Sequence, residues 1–371
     1  MNSHPISSRI NGLDTLRACA ILLVLMYHYM VFVSHEPSFG FLSEIGWVGV
    51  DLFFVLSGYL IGNQIFAGLK SEHGFSLKTF YIRRALRTLP NFYVVLAIYF
   101  LFPIEAGGKA VTPLWKFLTF TQNFDLKPGT AFSHAWSLSI EEQFYVVLPI
   151  VAIATIAYLK SVRAMWLVLL GAMAGAACMR YLMWQQVGDD YTQYYVHIYY
   201  STWCRFDELL PGVALALLKN FHPQIWTRSL KYGHLSLLGG AVLTGVAMYL
   251  FTFYSYVEGQ GFLWFTTTFG YSLLAAGFAL LTLAGLSPNS YLYRWRIPGA
   301  SVLALWSYAL YLVHKPLMNA LIRPFETWGI SVKSWIGISG MFVLSLLATY
   351  VLYRFVETPF MRLRDRYFPY K

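Results

Sequence analysis

Residues 13–34 read LDTLRACAILLVLMYHYMVFVS, an almost wholly apolar run that carries Asp14, Arg17 and His28. At about 1.5 Å of helical rise per residue it is long enough to cross the roughly 30 Å hydrocarbon core of a bilayer. Ionisable side chains are costly there, so those found within a span normally face a protein interior or a wet cavity and mark function. Eleven residues of helix turn about 1100°, which brings Arg17 and His28 within about 20° of each other, roughly 16 Å apart along the axis. They share one stripe. The segment predicts an all-α, polytopic transmembrane bundle with an enzyme or transporter site among its helices.

The rest of the chain extends that reading. Its 371 residues are 57% hydrophobic and 12% charged, with a mean hydropathy of +0.53, too apolar for a soluble domain. Runs of spanning length can be placed about ten times, at 13–34, 46–69, 88–105, 137–159, 164–186, 204–218, 235–255, 262–286, 301–323 and 335–355. The third and sixth are the least regular. A single domain over 1–371 is expected. With a cytoplasmic N-terminus, the inside segments hold 18 Lys and Arg against 5 outside, so both termini are expected inside. The net charge of +10 is mostly this bias and calls for no nucleic-acid partner. The first span is too long for the apolar region of a removable signal peptide. Cys19, Cys178 and Cys204 lack metal-site spacing and read as core-packing thiols; no metal is expected. Gly58-x-x-x-Gly62 and Gly171-x-x-x-Gly175 have helix-packing spacing. The loop 106–136, rich in Gly, Pro and Asn, is the natural lid.

Placed by depth, the buried charges converge on the outer half of the membrane. Asp51 lies near the outer end of the second span and Glu141 and Glu142 near that of the fourth. Arg205, Asp207 and Glu208 begin the sixth, and His314 and Lys315 fall in the outer half of the ninth. His28 sits at the same level. Each also has a plainer role. Asp14 and Arg17 at i,i+3 can pair at a helix start; Ser139-x-x-Glu142 fits a capping box; Lys315 can snorkel outward; Asp207 can pair with Arg205. Glu141 and His28 remain the stronger chemical candidates. On the inner side, YIRRALRTLP carries Arg83, Arg84 and Arg87, with Arg84 and Arg87 on one helical face. Arg forks suit phosphates, although topology-setting charge has the same look.

Seven strings in order carry a resemblance: GLDTLRACAILLVLMYH, GVDLFFVLSGYLI, FYIRRALRTLP, HAWSLSIEEQFYVVLP, WCRFDELLPG, SYALYLVHKP and VETPFMR. Together they resemble the acyltransferase 3 family of integral membrane acyltransferases over residues 12–362. The resemblance implies transfer of an acyl group, usually acetyl, from cytoplasmic acyl-CoA to hydroxyls of extracytoplasmic glycans, glycolipids or small molecules, in the cell membrane. The family's Arg-x10-His falls on Arg17 and His28, its Arg-x-x-Arg on Arg84 and Arg87, and its WSLxxE glutamate on Glu141. The esterase-like domain that some members append is not seen, so a second activity of that kind is not expected.

Family and residues describe one reaction. Arg84 and Arg87, with Arg83, would hold the CoA phosphates while the pantetheine arm reaches between helices. His28 would serve as general base or transient acyl carrier. Glu141 would orient its imidazole and Arg17 would contact the donor arm or thioester. Asp51, Arg205, Asp207, Tyr311 and His314 would face the acceptor. The alternatives are a transporter of an acidic or sugar substrate, for which inverted repeats would be the mark, and a structural assembly subunit, which would need no matched depth of His28 and Glu141.

Overall fold

In a computed structural model, residues 10–108 and 112–369 are described; Arg9, Lys109 and Lys371 of the charge count lie outside them. Ten helices organise the chain: α1 (Asn11–Tyr29), α2 (Val48–Lys70), α3 (Leu77–Leu101), α4 (Trp136–Ala154), α5 (Val162–Val187), α6 (Leu210–Phe221), α7 (Gly233–Tyr254), α8 (Tyr271–Leu286), α9 (Ala300–Thr327) and α10 (Trp335–Leu352). A two-residue ribbon, Tyr256–Val257 against Gly261–Phe262, is the only sheet among the described residues. Seven helical segments are long and apolar enough to cross a membrane, which makes this a multi-pass membrane protein. The other three are α3, α6 and α9. Helix α3 carries Lys78, Arg83, Arg84 and Arg87, α6 is 12 residues long, and α9 carries His314, Lys315 and Arg323.

Local chemistry sets the helix ends. Ser76, Ser161 and Ser334 each accept a hydrogen bond from the backbone N–H three residues on, the usual device for satisfying a first-turn donor. Helix α1 runs on through a π turn, Met30–Ser34, that ends at His35 with φ 56°. A second π turn, Tyr353–Glu357, leads from α10 into a basic helix, Thr358–Tyr367.

The third span departs most from expectation. It begins at Leu77 rather than near residue 88, because Ser76 caps the helix ahead of the arginines. Arg84 and Arg87 therefore sit within α3, two to three turns from its start, rather than before it.

Polar contacts sort the helix ends. Lys70 Nζ donates to the Asn220 carbonyl at 2.7 Å and Arg83 to the Phe368 carbonyl at 2.5 Å. These bonds hold the α2–α3 connection, the end of α6 and the C-terminal segment at one end of the bundle. At the other end, Lys333 pairs with Glu36 at 2.8 Å and the Tyr29 hydroxyl donates to the Val332 carbonyl at 2.5 Å.

Helices α1, α2 and α9 form the centre, while α5 and α7 present Leu167, Leu170, Leu235, Leu238 and Val242 outward. Helices α2 and α6 cross closely at Gly58 and Gly212: a methyl at Gly58 would collide with the Leu209 carbonyl and one at Gly212 with that of Val55. Gly171 and Gly175, expected to pack, instead have open space beside them. Cys19 and Cys178 are exposed and only Cys204 is buried, against the expectation of three core thiols. In lipid the outer surface is as apolar as the core, so small apolar residues are not driven inward.

The later part of the expected lid is packed in, whereas Leu114, Trp115 and residues 127–129 are exposed and residues 109–111 lie outside the described residues. Asn123 donates to the Tyr200 carbonyl at 3.0 Å and to Thr202 Oγ1 at 2.8 Å, and accepts from Gln143 at 3.0 Å. Phe132, with φ 55°, stacks on Tyr99 and Phe117 with ring centroids 4.6 and 5.7 Å away. That anchor delivers Ser133 and His134 into the bundle, both buried.

Candidate active site

The outer-half cluster and the inner arginines read from the sequence fall instead into three groups, with Glu141 joining Arg17, Arg84 and Arg87 rather than His28. The first surrounds a cavity of about 210 Å³ between α1, α2, α3, α4 and α9. Its polar wall carries Arg17, Ser57, Arg84, Arg87, Glu141 and Ser307, and its apolar wall includes Phe53, Phe54, Leu60 and Ile61. Arg17 donates to Ser307 Oγ at 3.3 Å and Ser57 donates to Glu141 Oε1 at 2.8 Å. Arg84 lies 3.9 Å over the Tyr145 ring and 3.8 Å from Glu142. Arg87 is 3.6 Å from Glu357, which also accepts from Asn91 at 2.8 Å. Carboxylates thus partly offset both arginines. The capping-box role of Glu142 does not arise, since α4 starts at Trp136 and Ser139 Oγ donates to the Ala135 carbonyl at 3.4 Å. Arg83 points elsewhere, to Asp365 at 3.1 Å and the Phe368 carbonyl.

The second group lies nearer the opposite end. His28 Nδ1 is 2.7 Å from His314 Nε2, and His314 Nδ1 is 2.9 Å from the Leu310 carbonyl. A carbonyl only accepts, so a neutral His314 carries its proton on Nδ1 and offers a lone pair at Nε2. His28 must then donate from Nδ1, which leaves its own Nε2 basic. The two rings are 7° from parallel with centroids 4.9 Å apart, in keeping with a bond lying in the ring planes. His134 stands beside both, with centroids 5.9 Å from His28 and 5.3 Å from His314. Lys315, expected to snorkel, is instead buried and donates to Ser133 Oγ at 3.0 Å.

Tyr311 stands between the two groups. It lines the cavity, its hydroxyl donates to the His134 carbonyl at 2.6 Å, and that hydroxyl accepts from Ser137 at 2.7 Å. Glu141 makes its bond on the cavity side of this partition and does not orient His28; His314 does.

The third group is an ion-pair scaffold. Arg205 pairs with Asp51 at 2.9 Å and with Glu208, and its guanidinium lies 4.0 Å over the Tyr271 ring. Asp207 pairs with Arg180 rather than Arg205, through two bonds of 2.6 and 3.0 Å. Arg180 also reaches the carbonyls of Cys204 and Thr268 and the Ser272 hydroxyl. All five charged side chains are buried. Asp51, Arg205 and Asp207, expected on the acceptor side, hold α2, α5, α8 and the 202–209 segment together.

Sequence reasoning missed Ser57, His134, Tyr145 and Glu357 as partners in these groups. All four lie inside the motif strings, which was the one signal that pointed to them. Glu357 turns inward because the π turn after α10 redirects it to Arg87 and Asn91.

Comparison with known proteins places the chain among acyltransferases. The chain is 26% identical to the peptidoglycan O-acetyltransferase OatA of Listeria monocytogenes, over 94% of its own length and 55% of the relative's. It is 29% identical to a Bacillus subtilis protein named "Putative peptidoglycan O-acetyltransferase YrhL", over 94% of this chain and 54% of that one. A Staphylococcus aureus protein named as a putative O-acetyltransferase is 27% identical over 95% and 57%. The chain spans about half the length of these curated relatives. No solved structure matches it significantly. The profile described as an acyltransferase domain matches residues 10–354, a stretch that contains the Arg17–His28 stripe, the arginine-lined cavity and the histidine pair, and the chain belongs to this acyltransferase 3 family.

Proposed function

We propose that this protein is a membrane O-acyltransferase that moves an acetyl group from cytoplasmic acyl-CoA to a hydroxyl of an extracytoplasmic glycan. The observation that carries the reading is the relay from the Leu310 carbonyl through His314 to His28, which leaves His28 Nε2 as a base. The names of the relatives support acetyl as the group and a cell-wall glycan as the acceptor. The lysine and arginine bias supports placing both termini, and the α2–α3 end of the bundle, in the cytoplasm.

The donor enters from that end. A cavity of about 210 Å³ suits the thioester and part of the pantetheine arm, with apolar side chains along the methylenes and Arg17, Ser57 and Glu141 for the amides. Arg84 and Arg87 serve the phosphate side, in competition with Glu142 and Glu357. The thioester reaches His28 past Tyr311. There the acceptor oxygen attacks the thioester carbon as its proton passes to His28 Nε2; the C–S bond then breaks, and the thiolate recovers that proton as CoA thiol. A histidine on this relay can take the proton from the acceptor and return it to the thiolate.

The test is acetyl transfer and acetyl-CoA hydrolysis by purified protein in lipid nanodiscs, wild type against His28→Ala. Wild type is expected to turn over and the folded variant to fall to background. Retention of more than a few per cent of activity in folded His28→Ala refutes the assignment.

A further inference from the structure

The mechanism above uses His28 and His314 but leaves two buried groups beside them unused. His134 is 3% exposed, and neither of its ring nitrogens makes a hydrogen bond of ordinary length and angle, although the Leu312 backbone lies within electrostatic reach. A neutral imidazole always carries one N–H and one lone pair, so this ring holds a donor and an acceptor ready for something outside the polypeptide. Lys315 is 2% exposed. Its Nζ donates to Ser133 Oγ at 3.0 Å and sits 4.2 Å over the Phe32 ring. Arg180 and Arg205, equally buried, each hold a carboxylate, whereas Lys315 has none within ion-pair distance among the described residues. Buried charges are normally paired, so the ammonium form of Lys315 calls for an anion the protein does not supply.

Both groups lie at the proposed base. His134 is 5.9 Å from His28 between centroids, and the Phe32 ring that Lys315 covers is 5.2 Å from the His28 ring. Glu141, which would quench a cation here, is engaged by Ser57 on the far side of Tyr311.

We propose that His134 and Lys315 are further catalytic residues, which together bind the carbonyl oxygen of the acyl thioester and stabilise the oxyanion formed when the acceptor attacks. This rests on the O-acyltransfer reading. As the acceptor oxygen bonds to the carbonyl carbon, its proton goes to His28 Nε2 and the carbonyl π pair moves onto oxygen, where the His134 N–H and the Lys315 ammonium receive it. Collapse of the tetrahedral species reforms the carbonyl and expels the thiolate, which takes the proton from His28. Donors fixed in advance at a site of developing charge act on the transition state far more than on the bound donor, so their loss falls on kcat.

The experiment compares wild type, His134→Phe, His134→Gln and Lys315→Met in nanodiscs, measuring kcat, acetyl-CoA dissociation constant and melting temperature. Loss of one oxyanion donor typically costs about 100- to 1000-fold in rate. His134→Phe and Lys315→Met are expected to lose about 100-fold or more in kcat, with acetyl-CoA affinity held near wild type. His134→Gln, which keeps an N–H donor, recovers much of the loss. Lys315→Met melts at or above the wild-type temperature, since an unpaired buried charge is removed; a purely structural lysine predicts a lower one. Near-wild-type kcat in either folded variant, a rate loss that follows acetyl-CoA affinity, His134→Gln as impaired as His134→Phe, or a lowered melting temperature for Lys315→Met overturns the proposal. A wild-type protein that transfers no acetyl group refutes the parent reading instead, and the two failures are thereby separated.

Discussion

Replacing His314 with Phe tests the relay behind the base. His314 Nε2 accepts from His28 at 2.7 Å, and Phe keeps the ring while removing the acceptor. His28 is then left with a buried Nδ1–H that has nowhere to donate, a loss of about 1–3 kcal/mol. At about 1.36 kcal/mol per tenfold, the productive tautomer becomes about 5- to 150-fold rarer, because His28 gains by moving its proton to Nε2. The expected result is a fall in kcat of that order. The KM for acetyl-CoA should stay near wild type, because His314 does not line the donor cavity. His314→Gln offers a carbonyl acceptor near the same place and should retain much of the activity. The assay is steady-state acetyl transfer in nanodiscs, with circular dichroism and a melting curve on each variant. A wild-type kcat for folded His314→Phe, or equal impairment of the Phe and Gln variants, would refute the tautomer argument. A raised KM at constant kcat would assign His314 to donor binding.

Glu141→Gln should impair turnover far more than Glu142→Gln, because Glu141 lines the cavity with Ser57 while Glu142 stands behind Arg84; equal losses in kcat would contradict this. Replacing Arg84 and Arg87 together by Lys keeps the charge but removes the planar fork, and acetyl-CoA affinity measured by calorimetry should fall at least about tenfold, about 1.4 kcal/mol. Unchanged affinity would leave these arginines to their bonds with Glu142 and Glu357. Arg205→Met strands Asp51 and Glu208 in the core and should destabilise the fold by about 3–5 kcal/mol, read as lost thermal stability; a wild-type melting curve would exclude a scaffold role. Gly58→Val should do the same by driving a side chain into the Leu209 carbonyl, with unchanged melting as the contrary result.

How much of this was legible beforehand depends on the kind of question. Hydropathy located the seven helical segments of membrane-crossing length within a few residues at most of their ends, since the thickness of a bilayer sets the length of an apolar run. Helical periodicity put Arg17 and His28 on one stripe, and the structure carries that stripe along α9, with Arg17 bonded to Ser307 and His28 to His314. The ordered motifs named the family. Periodicity, however, fixes angle and depth only within one helix, and rotation relative to neighbours comes from packing.

Tertiary structure therefore decided every partnership. Asp207 went to Arg180, Arg205 to Asp51 and Glu208, Glu141 to Ser57, and His28 to His314. The loop expected to be a lid became the carrier of His134. The third span began eleven residues early, because one serine cap drew Arg84 and Arg87 into the helix. Cys19, Cys178 and the Gly171–Gly175 pair faced outward for a reason peculiar to membranes. Lipid and core are equally apolar, so the sequence pattern that separates inside from outside in water is largely silent about which face of a spanning helix meets its neighbours.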